Sequence, residues 1–417
     1  MASSLVSLNL ASRFQRTPVK VESMQTRRAF LSSLALAPLL RAAGRHKIVA
    51  VDAFHTPLLP TSRFGTSQFQ DDFDPARRRW FGPFSQISGS VISRIRTDSG
   101  ITGYGLGGGG GAGVYIVERH LRDLLLGVNP LNIELLWDQM HGSTSFYGRR
   151  GLGVMAVSGL DLALWDIAGK IAGVPVWQLA GGLTRPRTPV YFTSPNVETG
   201  LKLGCRAFKL PVDGVPQGRE AMKAIVDQVA RARNQIGPEA DLMIDCLARF
   251  DVPFTLELAE RLAEYRVRWI EEPIDPDDTE GYETLCAKVK GTLIASGEHE
   301  YTPFGFSDLL RHKAVQLAQP DISWSGGFTE LRRIAALADR AGVPLVPHRG
   351  SSRFGIHFIA ATPQCQLAES FGIGEKGNEL MEALTSRFEN GYAYPSEGPG
   401  FGVEITEALL KKVSVPV

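Results

Sequence analysis

From about residue 185 onward, short apolar runs of strand length alternate with longer stretches whose apolar residues recur at helical spacing. The short runs are CRAFK, LMID, VRWIEE, TLIASGE, AVQLAQPD, PLVPH and QCQLAES. Between them lie stretches such as GREAMKAIVDQVARARNQIG, TLELAERLAEYR and TELRRIAALADRAG, which repeat apolar residues every three or four positions. This alternation specifies βα units and a parallel sheet. Each short run delivers a chemically loaded residue at or near its end: Lys209, Asp245, Glu271, Glu298, Asp321, His348 and Glu369. By subtraction the gaps are 36, 26, 27, 23, 27 and 21 residues. An eight-fold β/α barrel of about 250 residues spends roughly 30 residues on each strand–helix unit and carries its chemistry at the C-terminal strand ends. The pitch therefore predicts a TIM-type barrel, of modified form, over residues 181–385, with one polar group per strand end converging on a single mouth.

Residues 46–180 carry a different pattern. KIVAVDAFHTP and SGSVISRIRTDSGITGYG are alternating or β-branched runs broken by Asp-Ser-Gly and Gly-x-Gly turns, which predicts an antiparallel meander. The stretch LGGGGGAG (106–113) lacks the Lys-Ser/Thr that a phosphate loop needs, and is expected to be a flexible linker. VYIVERHLRDLLLG, NIELLWDQMHG and VMAVSGLDLALWDIAGKIAG then read as helices, the last ended by Gly173-Val174-Pro175. Together these form an α+β unit, and the Gly-, Pro- and aromatic-rich segment 386–417 is expected to return and complete it. Residues 1–45 stand apart: a polar, Ser-rich stretch leads to TRRAFLSSLALAPLLRAAG, in which Arg27-Arg28 precedes an apolar run too short to span a bilayer. In outline this is a twin-arginine leader, removed or disordered in the mature chain, and it predicts export to the periplasm. Were the leader only an extension from a start codon placed too early, the chain would be cytoplasmic.

At 417 residues and 43% hydrophobic content the chain has material for a large core. Its 45 basic and 44 acidic residues leave a net charge of +1 with no long basic block, so neither nucleic acid nor a membrane surface is an expected partner. The expected partners are a small molecule and further copies of the chain. Cys205, Cys246, Cys286 and Cys365 have no CxxC spacing and read as buried or strand-end residues.

Three consecutive strand ends present a carboxylate: Asp245, Glu271 and Glu298. Three carboxylates at one point repel one another, so a positive group must sit between them; oxygen-only ligands suit one Mg²⁺ or Mn²⁺. Glu272 adjoins Glu271, and spacing alone leaves open which of the two is the ligand. Asp321 and His348 occupy the next two strand ends, where a carboxylate beside an imidazole makes a general base. Lys209 would either stabilise an oxyanion or neutralise the acidic mouth. Position 211, on the same strand face, is Pro, so no second base is offered there. His299 is a candidate for contact with substrate, and His357 falls in the following helix. A divalent ion that chelates a carboxylate, next to a base that takes the α-proton, defines proton abstraction with charge stabilisation.

The helix signature SGLDLALWDIAGKIAGVPVWQLAGG, followed in order by MID, WIEEP, SGEH, QPDISWSGG and VPH, resembles the mandelate-racemase-like group of the enolase superfamily. The similarity runs from about residue 46 to the end. Within that group MIDCLARFDV, SGEHEY, QPDISWSGGFTEL and the PH-GSS element are most similar to rhamnonate dehydratases. The resemblance implies that Asp245, Glu271 and Glu298 hold Mg²⁺, that His348 is the base with Asp321 its partner, and that Glu369 hydrogen-bonds near the substrate carboxylate. It also implies a capping domain whose loop, roughly 55–75, closes the site and reads the sugar tail; Arg63 is the substrate-binding candidate within it. Two departures stand out. PHRGSSRFG has an added Arg349 after the base and Arg353 in place of an apolar residue, and HTPLLPTSRFGTSQF lacks a His-Trp element. The reaction expected is dehydration of a rhamnonate-like acid sugar to a 2-keto-3-deoxy acid, a step of carbohydrate catabolism, with Lys209 and Glu369 assisting at the substrate. The alternatives are a racemase or epimerase of a 2-hydroxy acid, which needs a base on each face, and a metal-binding relative without turnover.

Overall fold

The structure, a computed structural model, describes residues 46–56, 89–212, 217–371 and 379–415. The leader expected at 1–45, Arg63 and positions 57–75 of the expected capping loop lie outside the described residues.

The predicted alternation produces parallel strands β4 (Thr188–Thr193), β5 (Ala207–Pro211), β6 (Asp241–Asp245), β7 (Val267–Glu271), β8 (Leu293–Ser296) and β9 (Leu317–Ala318), which pair in sequence order. Single bridges, Ala318 to Leu345 and Asp321 to His348, attach the segment that ends at His348. A further bridge, Leu345 to Cys365, leads to β10 (Ala368–Ser370), and β10 pairs in parallel back onto β4. Hydrogen bonding thus runs round eight strand segments and returns to its start. Helices follow the strands, several of them opened by a side chain that accepts a hydrogen bond from an otherwise unpaired backbone N–H. Asp251 begins Val252–Leu262, Asp278 begins Thr279–Lys288, and Ser352 begins Arg353–Ala361.

Inside the ring, one buried residue from each strand segment forms an apolar layer: Tyr191, Ala207, Met243, Trp269, Ala295, Leu317, Val346 and Leu367. Strand side chains repeat on one face every second residue, so the next inward position in each segment is two residues on. Those positions are Thr193, Lys209, Asp245, Glu271, Gly297, Gln319, His348 and Glu369. A single step of the strand period therefore converts an apolar floor into a polar mouth.

Before the barrel lie β1 (Ile48–Thr56), β2 (Ser90–Thr97) and β3 (Thr102–Gly107), an antiparallel sheet in the order β1-β2-β3. β3 packs on the helix Leu152–Ala172, most of whose residues are buried. The approach is close enough that a Cβ on Gly105 would stand 1.9 Å from the Gly159 carbonyl oxygen, so alternate glycines along β3 are what let strand and helix meet. By length and composition the helix could cross a bilayer, but 89% of its most apolar stretch is buried in protein. The linker expected at 106–113 does not form: Leu106 and Gly107 belong to β3, and Gly110–Ile116 is helical. Small residues were needed there for packing, since a Cβ on Gly113 would meet the Gly108 carbonyl at 2.4 Å.

The C-terminal segment returns to this part of the chain. β11 (Arg387–Glu389) and β12 (Tyr392–Tyr394) form a hairpin, and β12 runs antiparallel to β4. Beyond it, Tyr104 Oη donates to the Ile405 carbonyl (2.9 Å) and Val415 N to that of His55 (3.0 Å). The buried Asp166 carboxylate accepts from Phe401 N (2.9 Å), Tyr104 N (3.0 Å) and Lys170 Nζ (2.8 Å), tying segment, sheet and helix at one point.

Candidate active site

Asp245 and Glu271 close β6 and β7, while Glu298 follows β8 by two residues, after Gly297 at φ +122°. Ligand oxygens of these three carboxylates lie within 4.8 Å of one another, and all three residues are buried. This is the donor set of a hard divalent cation: anionic oxygen only, converging, and shielded from water. Glu272 could also share a cation with Glu298 and His299, but the backbone separates it from Glu271. Glu272 has φ +36°, which breaks the strand alternation immediately after Glu271 and sends the two carboxylates to different partners. Glu272 accepts from His299 Nδ1 (2.7 Å) and from His299 N (3.3 Å). Glu271 is held instead by Trp269 Nε1 (3.1 Å) and Gln319 Nε2 (2.6 Å), both donating to Oε2. Burial pushes the Glu271 carboxyl up to about 8 despite the Lys209 ammonium beside it, and the neighbouring Asp245, Glu369 and Glu298 carboxylates push the same way.

Lys209 is fully buried in β5 with Nζ against Glu271, 2.7 Å from Glu369 Oε1 and 3.3 Å from Asp245 Oδ2. Of the two sequence readings, neutralising the acidic mouth is the one these contacts describe. Burial works against the charge, and the three carboxylates overcome it and hold the ammonium pKa well above its ordinary value. Pro211, two residues on, ends β5 in register with Asp245 and is buried.

His348 is 3% exposed. Its Nδ1 lies 2.7 Å from Asp321 Oδ2, and Asp321 Oδ1 accepts from Ser323 N (2.6 Å) and Ser323 Oγ (2.5 Å). With Nδ1 fixed on Asp321, Nε2 faces Glu298 Oε1 at 3.4 Å and Glu369 Oε2 at 3.8 Å, on the side of the carboxylate cluster. Burial alone would lower the imidazole pKa; Glu298, Glu369 and Asp321 outweigh it and raise it to about 9. Two rings pack on the imidazole, Trp324 at 5.5 Å and Phe371 at 5.4 Å between centroids. Glu369, in β10, accepts from Thr193 Oγ1 (2.7 Å) and Arg349 N (3.0 Å). Burial raises its carboxyl, but Lys209 and His348 outweigh that and leave it below the usual range.

The seven strand-end residues thus come together. His299 joins them at the rim, with Glu272 on one side and the Trp324 ring 5.7 Å away. His357 does not: it is buried in the helix Arg353–Ala361, where Trp177 N donates to its Nδ1. Arg353 also points elsewhere, donating to the Gly402 carbonyl (3.0 Å) in the C-terminal segment. Thr193, Trp269, Gln319, Trp324 and Phe371 are site residues that the sequence reading did not single out. Gln319 was the most findable, as an amide inside the otherwise apolar run AVQLAQPD.

With this geometry in view, the comparisons with known proteins are specific. Residues 84–181 match the family model of the mandelate racemase / muconate lactonizing enzyme N-terminal domain, and residues 196–409 match the enolase C-terminal domain-like model. L-rhamnonate dehydratase of Saccharopolyspora erythraea is 36% identical over 338 residues, which cover 79% of this chain and 86% of that protein. Among solved structures, rhamnonate dehydratase from Gibberella zeae complexed with Mg superposes with a TM-score of 0.77 at 29% identity, covering 88% of this chain and 96% of that one. A racemase from Streptomyces coelicolor A3(2) with bound magnesium gives a TM-score of 0.75 at 28% identity, covering 88% and 100%.

Proposed function

We infer that this chain, which belongs to the mandelate racemase/muconate lactonizing enzyme group of the enolase superfamily, is a Mg²⁺-dependent hydro-lyase that dehydrates an aldonic or similar acid sugar. The observation that carries the reading is the placement of His348 Nε2, 3.4 Å from Glu298 Oε1 at the edge of the three-carboxylate cluster, while Asp321 holds Nδ1. A base so placed reaches the carbon next to a carboxylate bound at that cluster. Asp245, Glu271 and Glu298 would hold Mg²⁺, which when bound would supply positive charge against that carboxylate.

His348 takes the C2 proton at Nε2, and Asp321 stabilises the imidazolium that results. The electron pair left at C2 moves toward the carboxylate, whose charge Lys209 helps to balance, and Glu369 hydrogen-bonds beside it. The C3 hydroxyl then leaves with a proton, which His348 returns in a syn elimination. The enol so formed tautomerises to a 2-keto-3-deoxy acid. One base suffices for this sequence. The likeness to a racemase favours a second reading, inversion at C2. Inversion needs a base on the opposite face, and Pro211 stands in the strand position two residues past Lys209.

A panel of acid sugars incubated with the protein and Mg²⁺ tests the reading: a 2-keto-3-deoxy product from at least one supports it. Substrate epimerised at C2 without loss of water would replace it with the racemase. The Arg27-Arg28 leader extends the proposal to a periplasmic enzyme. Changing both residues to Lys should keep the protein in the cytoplasm; unchanged export would remove the twin-arginine reading.

A further inference from the structure

Arg349 directly follows the proposed base, and its backbone is unusual. It has φ +53°, in the left-handed region that costs a branched or long side chain about 1–2 kcal/mol and costs Gly little. Gly350 follows directly, so a Gly is close at hand in the sequence, yet the strained position is filled by Arg. An outlier of this kind at a site points to a use for the side chain.

The structure gives that side chain a definite place. The backbone N–H is spent on Glu369 Oε2, anchoring the turn. The guanidinium Cζ lies 5.3 Å from the Trp324 ring and 5.9 Å from the Phe371 ring. These are the two rings that pack on the His348 imidazole at 5.5 and 5.4 Å. Imidazole and guanidinium therefore share the same two aromatic neighbours, as opposite corners of one four-membered array. The other described cations of the mouth already have carboxylate partners: Lys209 has Glu271, Glu369 and Asp245, and His299 has Glu272. Among the described residues the Arg349 guanidinium makes no hydrogen bond or ion pair. The rings hold it by cation–π attraction, its charge also bears on the buried Asp321 carboxylate, and its planar N–H fork is not spent on a hydrogen bond.

Resting on the acid-sugar reading above, we propose that Arg349 reads a second anionic group on the substrate. The first carboxylate belongs to the metal ligands, and a second one, or a phosphate monoester, at the far end of the sugar would meet the guanidinium fork in the bidentate geometry such groups favour. The chain would thus prefer an acid sugar that is anionic at both ends over one whose far end is uncharged.

The test compares wild type with Arg349→Gln and Arg349→Gly on three probes of one configuration: a six-carbon aldarate, a 6-phosphoaldonate and the plain aldonate. The Gly variant relieves the backbone strain, so a folding defect in Arg349→Gln alone would not mislead. The expected result is a kcat/KM ratio of the better doubly anionic probe over the aldonate that falls roughly tenfold or more in both variants, mainly through KM. Which probe leads distinguishes carboxylate from phosphate. A ratio unchanged in both variants overturns the proposal, whatever the individual rates, and assigns Arg349 to positioning alone. Binding of the same probes to Mg²⁺-loaded protein by calorimetry separates this from the dehydratase reading. Tenfold weaker binding of the doubly anionic probe to the variants, with no turnover of any probe by wild type, would keep the anion site and reject the dehydratase.

Discussion

At the scale of single residues, His348 is constrained by Asp321 at Nδ1 and by Trp324 and Phe371 on its ring, so that only Nε2 turns toward the carboxylate cluster. Replacing it with Asn should lower kcat by roughly 10²- to 10⁴-fold, with Mg²⁺ affinity preserved in a calorimetric titration. Near-wild-type turnover would remove His348 from the reaction. Gln319 acts one step further back: it donates to Glu271 Oε2 at 2.6 Å and so fixes the orientation of a carboxylate proposed to hold Mg²⁺. Gln319→Leu should weaken Mg²⁺ binding roughly 10- to 100-fold, as loss of a partner behind a metal ligand typically does. Unchanged affinity would show that Trp269 and Lys209 suffice to orient Glu271. The charged members of the site were legible in the sequence because a carboxylate, ammonium or imidazole at the end of an apolar run is rare and costly. Thr193, Gln319, Trp324 and Phe371 were not, since neutral hydrogen-bonding and aromatic residues occur at such places for many reasons. The separation of Glu271 from Glu272 was also beyond spacing, because a single φ of +36° sends the two carboxylates to different partners.

At the scale of elements, the barrel was readable because each strand has to serve two layers. An apolar residue in the floor and a polar one two positions on produce the short apolar run with a loaded end, repeated with the pitch of a βα unit. The segment at 345–348 is joined to its neighbours only by single bridges, yet PLVPH carried the same signature as its regular neighbours. The glycine run at 106–113 misled for a physical reason. Composition reports the freedom of glycine but not the reason it is used, and here the reason is the space that a helix backbone occupies. Gly105→Ala tests that account. The added Cβ, 1.9 Å from the Gly159 carbonyl, must push strand and helix apart. The expected cost is about 1–3 kcal/mol in chemical denaturation, and a loss under about 0.5 kcal/mol would contradict the packing described.

At the scale of the whole molecule, the C-terminal segment joins β12 to the barrel and Phe401, Ile405 and Val415 to the sheet and helix that precede it. Its return was expected from the end of the strand–helix pattern, but its anchors were not, because they are mostly backbone groups. His357 lies beneath this segment, 5.3 Å from the Phe401 ring, and burial drives its pKa down to about 3. A histidine depressed in the folded state stabilises it above the unfolded value of about 6.5, and that stability is lost as pH falls toward 3. At pH 5 the loss from this group should be about 2 kcal/mol relative to pH 7, and His357→Phe should show a correspondingly shallower decline. Parallel declines in the two proteins would mean that His357 stays neutral in both states or charges in both. The claim that unites the three scales is that one base, facing one cluster of carboxylates, removes water without inverting C2. Turnover of an acid sugar in D₂O with Mg²⁺, followed by proton NMR, tests it most directly. The account predicts a 2-keto-3-deoxy acid labelled with deuterium at C3, and recovered substrate with its C2 configuration intact. Recovered substrate inverted and deuterated at C2, with no keto acid formed, would contradict it.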